Sequence, residues 1–126
     1  MSCLFDSIAA QIDLSPAEVR DLIIDEHRLH GDHIVHGLKL RDWVFYETEK
    51  ETDAYCKGIS RLGWGGLVDV VAASLALDRP FEVDVFIRGM KEKRIVVNTN
   101  VSKGRPIRLV YTPGHWSPGP RSRPRS

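Results

Sequence analysis

Residues 67–89 read LVDVVAASLALDRPFEVDVFIRG, and the fold class turns on the change of period inside them. From Leu67 to Leu77 the chain is apolar on most sides, which predicts a helix in the interior. Pro80 stops it. From Phe81 the period becomes two. Phe81, Val83, Val85 and Ile87 alternate with Glu82, Asp84 and Arg88, the pattern of a half-buried strand. Downstream, KRIVVNTNV (93–101) and PIRLVYT (106–112) predict two more strands, with SKGR (102–105) as the turn between them. Pro106 can only open the last strand, because it has no N–H for a ladder. Upstream the pattern is helical. Leu4, Phe5, Ile8 and Ala9 mark a short helix within Cys3 to Gln11. In IDLSPAEVRDLIIDEHRLHG (12–31), Ser15 caps, Pro16 takes the first helical position and Glu18 completes a capping box. Val19, Leu22, Ile23, Glu26 and Leu29 step along that helix, and Gly31 ends it. A third helix is expected from Thr52 to Ser60, with Ala54, Tyr55, Cys56 and Ile59 inward, before GWGG (63–66) breaks it. Residues 32–51 give no clear period. Helices first and strands afterwards imply an α+β domain with a small, mostly antiparallel sheet.

The chain has 126 residues, enough for one domain with a real core. It is 42% hydrophobic and 28% charged, as globular chains are. A net charge of +1 gives no global field toward nucleic acid or an anionic membrane, so neither is expected as a partner. Two scattered cysteines, Cys3 and Cys56, do not make a disulfide framework, and a reducing, cytoplasmic setting is the expectation. The N-terminus lacks the basic segment of a signal peptide. SPGPRSRPRS (117–126) cannot build a core and is expected as a disordered tail after a domain spanning 1–116. Its Arg121, Arg123 and Arg125 read as solvated charges.

One pairing could carry chemistry. Cys3 opens the first helix, where unpaired N–H groups and the helix dipole favour a thiolate. His115 follows the last predicted strand and could take the thiol proton and return it to a leaving amine. On spacing alone the signal is weak, and a small buried thiol with a surface histidine is the favoured reading.

The words around these residues add more. CLFDSIA (3–9), then YCKGISRLGWGGLVDVVAASLALDRPFEV (55–83), then RPIRLVYTPGHW (105–116) together resemble the ovarian tumour (OTU) family of papain-like cysteine proteases. The small size is similar to a compact viral member. The resemblance implies an OTU-like fold, with Cys3 as nucleophile and His115 as general base. Trp116 would be the aromatic residue after the histidine, and with Trp64 would wall the cleft. The oxyanion would be held by backbone N–H groups around Ser2 and Cys3. The implied activity is hydrolysis after the C-terminus of ubiquitin or a ubiquitin-like protein. No cofactor or metal is needed, and the domain is expected as a monomer. Two positions depart from the pattern: only Met1 and Ser2 precede Cys3, where family members carry Asp-Gly, and Ser117 stands where Asn or Asp orients the imidazole. A serine hydroxyl can orient that ring but carries no charge. Three alternatives stay open: a protease acting on its own viral polyprotein precursor, a ubiquitin-binding module that has lost turnover, and an unrelated interaction domain.

Other residues read plainly. His27, His30, His33 and His36 recur every third position, but Gly31 interrupts the helix and they are expected to be solvated. Cys56 is expected as a core thiol. Asp6 and Asp13 are expected on the helix surface.

Overall fold

A computed structural model describes residues 3–62, 65–98 and 104–119; the side chains of Cys3 and of residues 60–62 are not among what it describes. Five helices and two sheets appear in these residues: α1 (Cys3–Ala9), α2 (Pro16–Leu29), β1 (Ile34–Val35), β2 (Leu38–Lys39), α3 (Leu40–Thr48), α4 (Thr52–Leu62), α5 (Leu67–Leu77), β3 (Phe81–Ile87), β4 (Met90–Val97), β5 (Ile107–Thr112) and β6 (His115–Pro118). The larger sheet has the order β4-β3-β5-β6. Two of its pairings are antiparallel, and β3 with β5 is parallel. The α+β expectation holds, and so does the helix from Leu67 to Leu77.

Local chemistry explains the element ends. Ser15 accepts from the Glu18 amide at 3.1 Å while Glu18 accepts from the Ser15 amide at 3.0 Å, so the capping box of α2 is formed. His36–Gly37 and Arg88–Gly89 both have positive φ at two consecutive residues, the geometry of the tight hairpin turn that twists with its strands. The first of these turns makes β1–β2, which sequence periodicity does not reveal because each strand is only two residues long. Trp43 of α3 donates from Nε1 to the Val35 carbonyl at 2.9 Å and ties that hairpin down.

The core lies between the helices and the odd-numbered side chains of β3 and β5. Phe81, Val83, Ile107 and Leu109 meet Phe5, Ile8, Ile23 and Val71 there, all buried. Full burial of one such side chain stabilises by roughly 1.5–3 kcal/mol. The charged residues of these strands are at even-numbered positions, on the other face: Arg94 bonds Asp84 at 2.8 Å, and Arg108 lies 3.4 Å from Glu82. Some expected positions differ. Leu29 is exposed, as is Ala54, while His27 is buried. The domain boundary expected at Trp116 falls inside β6, which runs to Pro118; residues 120–126 of the expected tail lie outside the described residues.

His27 corrects the expectation of solvated histidines. Its side chain is fully buried, and Nε2 stands 3.0 Å from Oδ1 of Asp69. A carboxylate only accepts, so the ring proton sits on Nε2. Tyr55 donates its hydroxyl to Asp69 Oδ2 at 2.5 Å, and the Gly66 amide donates to the same oxygen at 2.8 Å. Burial, then the Asp69 charge, pushes the Tyr55 phenol well above its ordinary range, so it stays a donor at any working pH. One buried charge thus joins α2, α4 and the entrance of α5. The other three of the evenly spaced set, His30, His33 and His36, are exposed; His30 and His33 stack at 4.6 Å, and His33 meets Glu26 at 3.2 Å.

Removing this carboxylate leaves three buried donors without an acceptor. Asp69→Ala is expected to cost about 3–5 kcal/mol in urea unfolding, and Tyr55→Phe, which leaves the other two donors in place, about 2 kcal/mol. Equal, small losses from both would show that the network is not what joins these helices.

Candidate active site

Two contacts fix how α1 lies along the sheet. At its C-terminal end, Gln11 donates to the Arg108 carbonyl at 2.7 Å and accepts from the Arg108 amide at 3.0 Å. Gln11 therefore satisfies the backbone of β5 where β6 has run out, and the Gly119 amide shares the same carbonyl at 2.8 Å. At its N-terminal end, Leu4 lies over Gly65. A Cβ on Gly65 would stand 2.4 Å from Leu4 Cδ2, so a residue without one is required there. Gly65 in turn lines a cleft of about 410 Å³ with Gly66, Tyr111 and Trp116. The first turn of α1 and the Tyr111–Trp116 end of the β5–β6 hairpin thus share one end of the sheet.

Pro113 and Gly114 make the turn at that end. Gly114 has φ +78°, the left-handed value that follows proline in a type II turn. Thr112 pairs with His115, Tyr111 with Trp116 and Val110 with Ser117. His115 therefore opens a strand rather than following the last one. Alternation puts His115 and Ser117 on one face of β6 and Trp116 on the other. Trp116 packs on Tyr111 with ring centroids 4.8 Å apart, and both wall the cleft. Cys3 is the first residue of α1, the helix packed along β6. Ser2, Trp64 and the Cys3 side chain lie outside what is described.

The opposite wall comes from the start of α5. Gly66 is its N-cap in extended backbone, φ −131°, with its amide on Asp69. Glu47 of α3 adds a second acceptor, taking the Val68 amide at 2.8 Å. Partial removal from water raises the Glu47 carboxyl above its ordinary range against the pull of that amide, and the nearby Asp69 charge raises it further. Neither carboxylate stood out in the sequence. Asp69 had a signal, as the one charge inside an apolar helix; Glu47 and Gln11 had none, since their partners are remote in the chain.

Remaining expectations fall as follows. Cys56 is fully buried, and burial pushes its thiol up to about 11, which fits a core thiol rather than a nucleophile. Asp6 and Asp13 are exposed. No group of His, Cys, Asp or Glu among the described residues is arranged to hold a metal, and no helix there is long and apolar enough to cross a membrane. A larger groove, about 630 Å³, runs between α2, α3 and α4 past Arg28, Arg41, Asp42 and Asp53; its charges are mixed and it is remote from α1 and β6.

No protein-family profile and no curated protein sequence matches the chain. Solved structures do. The viral OTU domain protease from Qalyub virus superposes with a TM-score of 0.65 at 16% identity, over 92% of this chain and 77% of that one. The viral OTU domain protease from Farallon virus gives 0.64 at 19% identity, over 90% and 75%. The Hazara virus OTU, solved bound to ubiquitin, gives 0.53 at 13% identity, over 90% and 71%. The chain has the fold of viral OTU domain proteases.

The glycine under Leu4 is open to a direct check. Gly65→Ala is expected to lose about 1–3 kcal/mol in urea unfolding, because Leu4 is packed and cannot swing aside. Added to Leu4→Val, it should cost less than it does alone. Strictly additive losses would mean that Leu4 is not what the new methyl meets.

Proposed function

We propose that this chain is a cysteine protease of the viral OTU type, cleaving after the C-terminus of ubiquitin or a ubiquitin-like protein. The observation that carries the reading is the fold, which agrees over nine-tenths of the chain with viral OTU domain proteases, one of them solved with ubiquitin. Two placements add to it. Cys3 heads the helix that packs along β6, and His115 opens that strand.

In this reading His115 takes the Cys3 thiol proton. The thiolate attacks the scissile carbonyl carbon, and backbone N–H groups around Ser2 and Cys3 hold the oxyanion. The C–N bond breaks, the amine leaves with the proton from His115, and a thioester remains. Water, deprotonated by His115, then releases the carboxylate and restores the thiol. Ser117, on the same face of β6 as His115, orients the imidazole through a neutral hydroxyl. Trp116 walls the cleft for an extended tail, with Trp64 proposed beside it.

Ubiquitin carrying a C-terminal electrophile tests this by intact mass. A covalent adduct is expected with wild type and with Cys56→Ser, and none with Cys3→Ala. His115→Ala should slow adduct formation by about 10²–10⁴, and Ser117→Ala by about tenfold or less. An adduct that survives Cys3→Ala, or no adduct with wild type, would sink the proposal.

A further inference from the structure

The turn after α2 gathers side chains that neither the core nor the cleft uses. Of the four evenly spaced histidines, His27 belongs to Asp69, and Nε2 of His36 accepts from the Asn98 amide at 3.2 Å. His30 and His33 remain, both exposed. Gly31 lies between them, and the chain folds straight back there: the His33 amide donates to the His30 carbonyl at 3.0 Å. The start of α3 pins this turn, with the Leu40 amide on the His33 carbonyl and the Arg41 amide on the Gly31 carbonyl, each at 2.8 Å. A Cβ on Gly31 would stand 3.2 Å from the His27 carbonyl oxygen, so the turn is also closely packed. His33 is thereby laid over His30, ring centroids 4.6 Å apart and 12° from parallel. Its Nδ1 stands 3.2 Å from Oε2 of Glu26, whose side chain is only 8% exposed. Glu26 and His30 share one side of the helix end, because the His30 amide donates to the Glu26 carbonyl one turn back.

Two imidazoles and a carboxylate are ligand types of zinc. Two ligand atoms at about 2.0–2.2 Å from one tetrahedral ion lie about 3.3 Å apart. Oε2 of Glu26 and Nδ1 of His33 are already close to that separation, at 3.2 Å. No set of three is in place among the described residues as the rings stand. His30 lies flat on His33 and has to turn about its side-chain bonds, a fast motion for an exposed ring. The C-terminal end of a helix favours a cation, and Arg28, in that last turn, is drawn instead to Asp53 at 3.8 Å. A carboxylate so far out of water calls for a stronger partner than one exposed imidazole. We infer that Glu26, His30 and His33 bind a zinc ion through Oε2, a ring nitrogen of His30 and Nδ1 of His33, with water at the fourth position. The proton that Nδ1 shares with Oε2 leaves to solvent when the metal enters. The ion ties the end of α2 to the turn into α3. The inference is independent of the protease reading, since none of the three residues lines the cleft. The competing role is a hydrogen bond alone, in which His33 holds Glu26 and His30 covers its ring.

Isothermal titration of zinc chloride into the untagged Cys3→Ala protein tests this, the substitution removing a thiol that could compete for the metal. One zinc per chain is expected, with a dissociation constant below about 100 μM. His30→Ala, His33→Ala and Glu26→Gln should each weaken it at least about tenfold. His36→Ala, which removes an exposed histidine outside the set, should leave it within about twofold. Thermal unfolding gives a second reading: zinc should raise the midpoint of the parent protein and not that of His33→Ala. Absence of saturable binding in that range overturns the inference, and so does binding that survives both histidine substitutions. Binding that His36→Ala weakens as much as His33→Ala does also overturns it, because scattered surface histidines would behave so. If His33→Ala lowers the midpoint while zinc leaves the parent unmoved, the hydrogen bond alone is the role and the inference fails.

Discussion

Everything on one side of the cleft depends on where the Asp69 carboxylate has been put. A charge with no exposure to water is tolerable only when its oxygens are met by donors, and here three parts of the chain supply them. His27 comes from α2, Tyr55 from α4 and the Gly66 amide from the turn into α5. None can drift without stranding the charge, so three helices and a turn hold one arrangement. The turn matters most for function. Because Gly66 is held from below by Asp69, Gly65 is presented to Leu4, and α1 settles at a fixed height above the sheet.

The sheet positions the other side through its backbone rather than through charge. β6 has only four residues, and alone it would be a weak edge. Gln11 extends the ladder past its end with a side-chain amide, so the C-terminus of α1 and the start of β5 act as one unit. The Pro113–Gly114 turn then returns the chain with His115 and Trp116 on opposite faces. A base and an aromatic wall can thus come from adjacent residues without competing for space.

Most of the fold was legible because most of its signals are local. Glu18 answers Ser15 three residues away, and the change of period at Phe81 is visible within one segment. What was not legible depends on remote partners or on very short elements. His27 looks like one of four evenly spaced histidines, and only Asp69, 42 residues later, makes it a core residue. The hairpin of Ile34–Val35 with Leu38–Lys39 is too short to alternate, although His36–Gly37 is the turn signal that marks it. β6 hid for the same reason, behind a Pro-Gly pair that reads as a loop. At the site, the residue types at Cys3, His115 and Trp116 stood out through their neighbours, whereas Glu47 lies in the stretch without a period.

The packing of α1 along β6 has a consequence for how the molecule comes into being. Among the described residues the first helix rests on the last strand, with all the other elements between them. During synthesis α1 emerges well before β6, and its apolar face, Leu4, Phe5 and Ile8, has no sheet edge to cover it until residues 115–118 have left the ribosome. Closing so long a loop is the slow kind of step, because the entropy is lost before the contacts form. The α2–α4–α5 assembly around Asp69 has all its parts available much earlier. The order of translation therefore separates a scaffold that can form early from a cleft that is completed later, when β6 arrives.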